Sequence, residues 1–195
     1  MTVSPHATVA PTDDLFRVLF VCTGNVCRSP TAERLLTRLS SDALDITSAG
    51  THAMSGRSIA EPMAALLKGS GADSREFVAR QLTQELVTDA NLVLAMTQEH
   101  RSAVVQLVPR AVRRTFTFVE FARLLKGVQP GQFGTGSVPQ RWAAAVPLAA
   151  AQRGAVPAVG SDDVADPYRS SEAVYRTAFD QIYSVARDIS AMMHT

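Results

Sequence analysis

A cysteine, an arginine six positions on, a serine beside it and an aspartate far downstream are the side chains with which this sequence can do chemistry. Cys22-Thr23-Gly24-Asn25-Val26-Cys27-Arg28-Ser29 follows a short apolar run and is closed by Pro30. A guanidinium is a planar fork of donors that fits two phosphate oxygens at once. A thiol close to a cation and a helix N-terminus is favoured as the thiolate, the form that attacks electrophiles. The spacing therefore predicts a loop wrapped round a phosphate or similar oxyanion, with Cys22 at its floor, Arg28 on its rim and Ser29 donating a hydrogen bond to the sulfur. Gly24 is expected to let the chain turn and a ligand come close. Asn25 tolerates a left-handed backbone and can brace the loop with its side chain. Thr23, Val26 and Cys27 complete the binding wall.

Such a loop needs a strand before it and a helix after it. Residues 17–21 read as a buried strand and residues 30–39 as a helix, with Ala32, Leu35, Leu36 and Leu39 on one face. Proline suits a first helical turn, where its missing N–H costs nothing. The amides and the positive end of that helix dipole make the junction an anion site. Further strands are expected at 44–49, 91–96 and 115–118. Helices are expected at 62–67, 98–107, 119–125 and 171–192, with a helical turn at 82–87. The apolar stripe of the last helix is read as Val174, Ala178, Ile182, Val185 and Ile189. Alternating strands and helices predict an α/β fold: a three-layer, doubly wound sheet of about four parallel strands flanked by helices, with the phosphate-binding loop after the first strand. Ligands of such folds lie beyond the carboxyl ends of the strands, where this loop falls.

Composition narrows the partners. The 195 residues are 46% hydrophobic and 19% charged, with a formal net charge of +1. That balance gives nucleic acid no electrostatic hold. No apolar run approaches the ~18 residues of a membrane span, and residues 1–11 lack the pattern of a signal peptide, so a cytoplasmic location is expected. Both cysteines lie in the loop, and the four histidines are dispersed. This argues against a disulfide framework or a metal site, and neither metal nor cofactor is called for. Residues 1–14 read as a disordered leader. Residues 127–160, rich in glycine and proline, read as a surface insertion with some helix at 140–152.

The string Val21-Cys22-Thr23-Gly24-Asn25-Val26-Cys27-Arg28-Ser29-Pro30 resembles the signature of the low-molecular-weight protein tyrosine phosphatases. The similarity extends through Ala32-Glu33 and Ser48-Ala49-Gly50-Thr51 and resumes at Asp166-Pro167-Tyr168, the pattern of the family's general-acid loop. It covers roughly residues 16–121 and 162–192. The resemblance implies one phosphatase domain, residues 15–195, and metal-free hydrolysis of protein phosphotyrosine. Cys22 would be the nucleophile, Arg28 the phosphate clamp, Asp166 the acid and then the base, and Tyr168 the aromatic flank of the entrance. In this family the second cysteine, here Cys27, can pair with the nucleophile and shield it; a small residue packed under the loop is the alternative. Asp162 and Asp163 compete with Asp166 as the acid. The Asp166-Pro167-Tyr168-Arg169 run resembles the bacterial branch that acts on tyrosine kinases of capsule or exopolysaccharide export.

Three other activities fit parts of the same pattern. A thiol-assisted arsenate reductase would use the loop, although no cysteine lies outside it for an internal relay. A protein-arginine phosphatase would carry a second threonine where Val26 stands. A silent phosphoprotein-binding module would keep the loop but lack the nucleophile or the acid. His52 and Met54 are candidates for the cleft wall or, equally, for a surface loop, and His100 for bracing a helix start.

Overall fold

The computed structural model describes residues 15–40, 44–158 and 160–194; the leader expected at 1–14 lies outside the described residues. The first strand, β1 (Phe16–Cys22), decides the layering. Its side chains alternate between two apolar layers: Phe16, Val18, Phe20 and Cys22 enter one, Leu19 and Val21 the other. A strand that is apolar on both faces must be covered on both. On the first face lie α1 (Arg28–Leu39), α2 (Glu61–Gly69), α5 (Phe118–Leu125), α6 (Val138–Ala151) and α7 (Glu172–His194). On the second lie α3 (Gln84–Asp89) and α4 (Gln98–Leu107).

The remaining strands are β2 (Leu44–Gly50), β3 (Leu92–Ala95) and β4 (Thr115–Thr117), and the sheet order is β2-β1-β3-β4, parallel throughout. The register pairs Cys22 with Gly50, Val21 with Ala95 and Ala95 with Thr117, so the carboxyl ends gather along one edge. The chain leaves β1 for β2 on one side and returns to β3 on the other. That reversal puts a crevice at the carboxyl end of β1, beside the loop of interest. The three-layer parallel fold read from the sequence is the fold observed.

Details differ where side chains overrule pattern. Phe118, expected at the end of the fourth strand, opens α5. A capping box ends the strand at Thr117, whose hydroxyl accepts the Glu120 amide at 3.1 Å while the Glu120 carboxylate accepts the Thr117 amide at 3.0 Å. Val174, expected in the buried stripe of the last helix, is 36% exposed, and Tyr175 points inward in its place.

Residues 127–160 are the main departure. They were read as a surface insertion, yet α6 is part of the core: Trp142, Ala145 and Ala149 are fully buried. Trp142 stacks on Phe121 with ring centroids 6.3 Å apart and lies 6.1 Å from Phe16. Alanines let the helix approach closely, and the helix runs through Pro147. Trp142→Ala is expected to lower the unfolding free energy by about 3–5 kcal/mol, as for a buried aromatic. Urea titration checks this; a surface appendage would lose no more than about 0.5 kcal/mol.

Candidate active site

The loop from Cys22 to Arg28 is held with its carbonyls facing outward. The carbonyl of Cys22 accepts the Thr51 amide, that of Thr23 accepts His52, that of Gly24 accepts Met54 and that of Val26 accepts Ala60, at 2.8–2.9 Å. The Cys27 carbonyl accepts both the amide and the hydroxyl of Thr31. With the carbonyls turned out, the amides turn in. Among the described residues the amides of Thr23, Gly24, Val26 and Cys27 make no backbone hydrogen bond, an arrangement that suits an anion with several oxygens. The turn is made at Asn25, whose φ of 53° is left-handed. This is the left-handed backbone expected to be tolerated at Asn25; Gly24, also expected to let the chain turn, has no positive φ, and a Cβ there would meet Val26 and Met54 only at 3.5 Å or more. Its missing side chain leaves room in the cleft instead. Gly50 is the glycine that packing requires: a Cβ there would lie 2.4 Å from the Thr23 carbonyl.

A polar chain beneath the loop fixes the groups around Cys22. The Arg80 amide donates to Asn25 Oδ1 at 2.9 Å, which turns Asn25 Nδ2 toward Ser29 Oγ (3.0 Å) and Ser48 Oγ (2.8 Å). The Ser48 hydroxyl in turn donates a hydrogen bond to Glu33 Oε2 at 2.6 Å. Ser29 Oγ, already accepting from Asn25, has its O–H left for Cys22 Sγ at 2.9 Å. The Asn25 amide is a second donor to that sulfur, at 3.3 Å. Cys27 has different surroundings. Burial pushes its thiol up to about 12, against the lowering effect of the Tyr175 hydroxyl at 4.0 Å. The two cysteines, equivalent in composition, are separated by their surroundings.

Arg28 is buried, and its guanidinium reaches the late part of the chain. Nη2 donates to Asp166 Oδ2 at 2.7 Å and Nη1 to the Val164 carbonyl at 3.2 Å. Asp166 also accepts the Tyr168 amide at 3.1 Å through its other oxygen. The rival aspartates are committed elsewhere: Asp162 is paired with Arg123, and Asp163 accepts the Gln98 amide at the start of α4. Asp166 alone of the three lines the cleft. That cleft, about 190 Å³, is bounded by Cys22, Thr23, Gly24, Val26, Cys27, Arg28, His52, Met54, Asp166 and Tyr168. His52 and Met54, left between wall and surface by the sequence, belong to the wall. A larger groove, about 720 Å³ between α2 and α7, touches none of the loop residues.

His100 is the neighbour whose part sequence reading understated. Its Nδ1 meets Thr97 Oγ1 and its Nε2 meets Thr23 Oγ1, both at 2.8 Å. Thr97 Oγ1 also accepts the His100 amide, at 3.2 Å. Burial, with Arg28 nearby, drives the imidazole pKa down to about 4, so the ring is neutral near pH 7. His100 thus ties the first loop residue to the start of α4. Arg80 left no signal in the sequence, because its backbone amide does the orienting. Gly50 was legible only within the Ser48-Ala49-Gly50-Thr51 string that carried the resemblance.

Comparison with known proteins agrees with this geometry. The sequence profile of the family described as "Low molecular weight phosphotyrosine protein phosphatase" matches residues 17–128. A protein-arginine-phosphatase of Geobacillus stearothermophilus is 28% identical over 180 residues, 92% of this chain and 97% of that protein. The low molecular weight protein-tyrosine-phosphatase Wzb of Salmonella typhi is 39% identical over 103 residues, 52% of this chain and 68% of that protein. The crystal structure of the Erwinia amylovora tyrosine phosphatase AmsI superposes with a TM-score of 0.66 at 26% identity, covering 89% of this chain and 90% of that one. The profile spans more than half of the sequence and takes in the whole of the Cys22–Ser29 loop, and the chain belongs to the low molecular weight phosphotyrosine protein phosphatase family.

Proposed function

We propose that this protein hydrolyses phosphotyrosine in proteins through a phosphocysteine formed on Cys22. The observation that carries the reading is the convergence of Cys22 Sγ, inward amides, Arg28 and Asp166 on one small cleft. The Cys22 thiolate attacks phosphorus, and the P–S bond forms as the P–O bond to the tyrosine breaks. The loop amides and the Arg28 fork hold the equatorial oxygens, where charge accumulates. A phosphate that takes over the Arg28 fork frees the Asp166 carboxylate from its ion pair; Asp166 then takes up a proton from solvent and delivers it to the leaving oxygen beside it. Asp166 then takes a proton from water, the water attacks phosphorus, and Cys22 leaves as a thiolate steadied by the Ser29 hydroxyl. Tyr168 lines the cleft, with the Arg169 guanidinium 5.3 Å from its ring, and offers an aromatic surface to the phenol. Phosphoproteins are the substrate class, and tyrosine kinases of polysaccharide export are the proposed targets.

Phosphoarginine is the second reading, because the Geobacillus relative aligns over most of this chain. Against it stands Val26, an apolar side chain in the cleft wall beside Met54 and Tyr168. Such a wall suits an aryl group better than a guanidinium.

With p-nitrophenyl phosphate and phosphotyrosine peptides, Cys22→Ser is expected to abolish turnover. On the phosphotyrosine peptides, whose phenolate needs protonation, Asp166→Ala is expected to slow turnover by a factor on the order of 10²–10⁴. Retained turnover in Cys22→Ser overturns the mechanism, and near-normal turnover in Asp166→Ala removes Asp166 from it. Parallel phosphoarginine and arsenate assays are expected to give far lower kcat/KM than phosphotyrosine; the reverse order would reassign the substrate. Peroxide oxidises Cys22 to a sulfenic acid, which the Cys27 thiol can condense with, forming a disulfide and releasing water. Wild type is then expected to regain activity with dithiothreitol, and Cys27→Ser to lose it permanently; equal recovery would rule out shielding.

A further inference from the structure

Asp166 lies on a segment, residues 161–167, without helix or strand. Cross-links must hold such a segment in place. Two of the ties on Asp166 itself are local or provisional: the Tyr168 amide belongs to its own turn, and the Arg28 pair is given up when a phosphate takes the guanidinium. The upstream part of the segment is fastened more firmly. Arg123, on α5, grips the Asp162 carboxylate with two parallel bonds, Nε to Oδ1 at 3.1 Å and Nη2 to Oδ2 at 2.7 Å. Its remaining edge donates through Nη1 to the carbonyls of Val156 (2.8 Å) and Pro157 (3.2 Å). Both side chains are largely out of water, at 20% and 11% exposure, so the bidentate pair is neither loose nor fully screened. The Asp162 carbonyl is held in turn by the Thr117 hydroxyl at 2.9 Å.

We propose that Arg123 is a positioning residue for Asp166: it clamps the end of the 127–160 segment and the start of the acid segment to α5, and so keeps Asp166 over the cleft once substrate has engaged Arg28. The inference rests on the phosphatase reading above. It gives the 127–160 segment a task, since that segment supplies two of the four bonds on the clamp. One turn earlier on α5, Glu120 holds the segment a second time by accepting from Arg153 Nε at 2.9 Å.

The test compares Arg123→Gln and Asp162→Asn with the parent on p-nitrophenyl phosphate and phenyl phosphate. A p-nitrophenolate leaves with little help from an acid, whereas a phenolate needs protonation. Misplacing the acid is therefore expected to lower kcat/KM for phenyl phosphate by about 10- to 100-fold, and much less for p-nitrophenyl phosphate. Inhibition by inorganic phosphate, which reports on the loop and Arg28, is expected to be unchanged. In an Asp166→Asn background Arg123→Gln is expected to add no further loss. An equal loss on both esters, a loss that persists without Asp166, or no loss at all would overturn the assignment. Asp162→Asn leaves the carbonyl held by Thr117 in place and carries the same readout if Arg123→Gln fails to fold. A parent protein with no Cys22-dependent turnover would instead overturn the phosphatase reading, and this inference with it.

Discussion

The site depends first on the direction of a few peptide groups. Between Cys22 and Arg28 the carbonyls are drawn outward by amides from residues 51–60 and by Thr31. A peptide whose carbonyl points out has its N–H pointing in, so the outer strip of chain sets the electrostatics of the cleft without lining most of it. The left-handed Asn25 makes that geometry possible, and its side chain is satisfied on all sides by Arg80, Ser29 and Ser48. A buried amide with both its N–H donors and its oxygen engaged holds a strained backbone more firmly than packing alone would.

From that constraint the rest follows in layers. β1 delivers Cys22 to the edge of the sheet, and β2 brings Gly50 close enough that only hydrogen fits between it and the loop. α4 supplies His100, a neutral histidine that adds no charge beside Arg28 yet fixes Thr23. Arg28 and Asp166 then join the first crossover of the fold to its last loop. Charge is placed sparingly: one buried cation meets one half-exposed anion, while the competing aspartates are neutralised at Arg123 and at a helix start.

Much of this was legible in the sequence, for identifiable reasons. Cys22, Arg28 and Ser29 act through side-chain chemistry at fixed spacing within one loop, and spacing is what a sequence records. The four strands were legible because apolar runs bounded by turn residues are a local signal. What was not legible depends on distant contacts. The left-handed turn at Asn25 could be read from its residue type, but Gly50, the glycine that cannot be replaced, is made so by a carbonyl more than twenty residues away. The 127–160 segment was misjudged because its glycines and prolines dominate its composition. The helical spacing of Trp142, Ala145 and Ala149 was present, but only the rings of Phe16 and Phe121 make it a core face.

The union of Arg28 with Asp166 also has a history in time. The two residues are 138 positions apart, and the later one lies in the last stretch of the chain before α7. At synthesis rates of about 5–20 residues per second, the ribosome needs on the order of 10 s or more to reach the aspartate after the arginine. During that interval β1, β2 and β3 can assemble and the loop can take shape, while the guanidinium at its rim still lacks this counter-charge. The acid segment is therefore among the last parts of the site to leave the ribosome, long after the loop it serves.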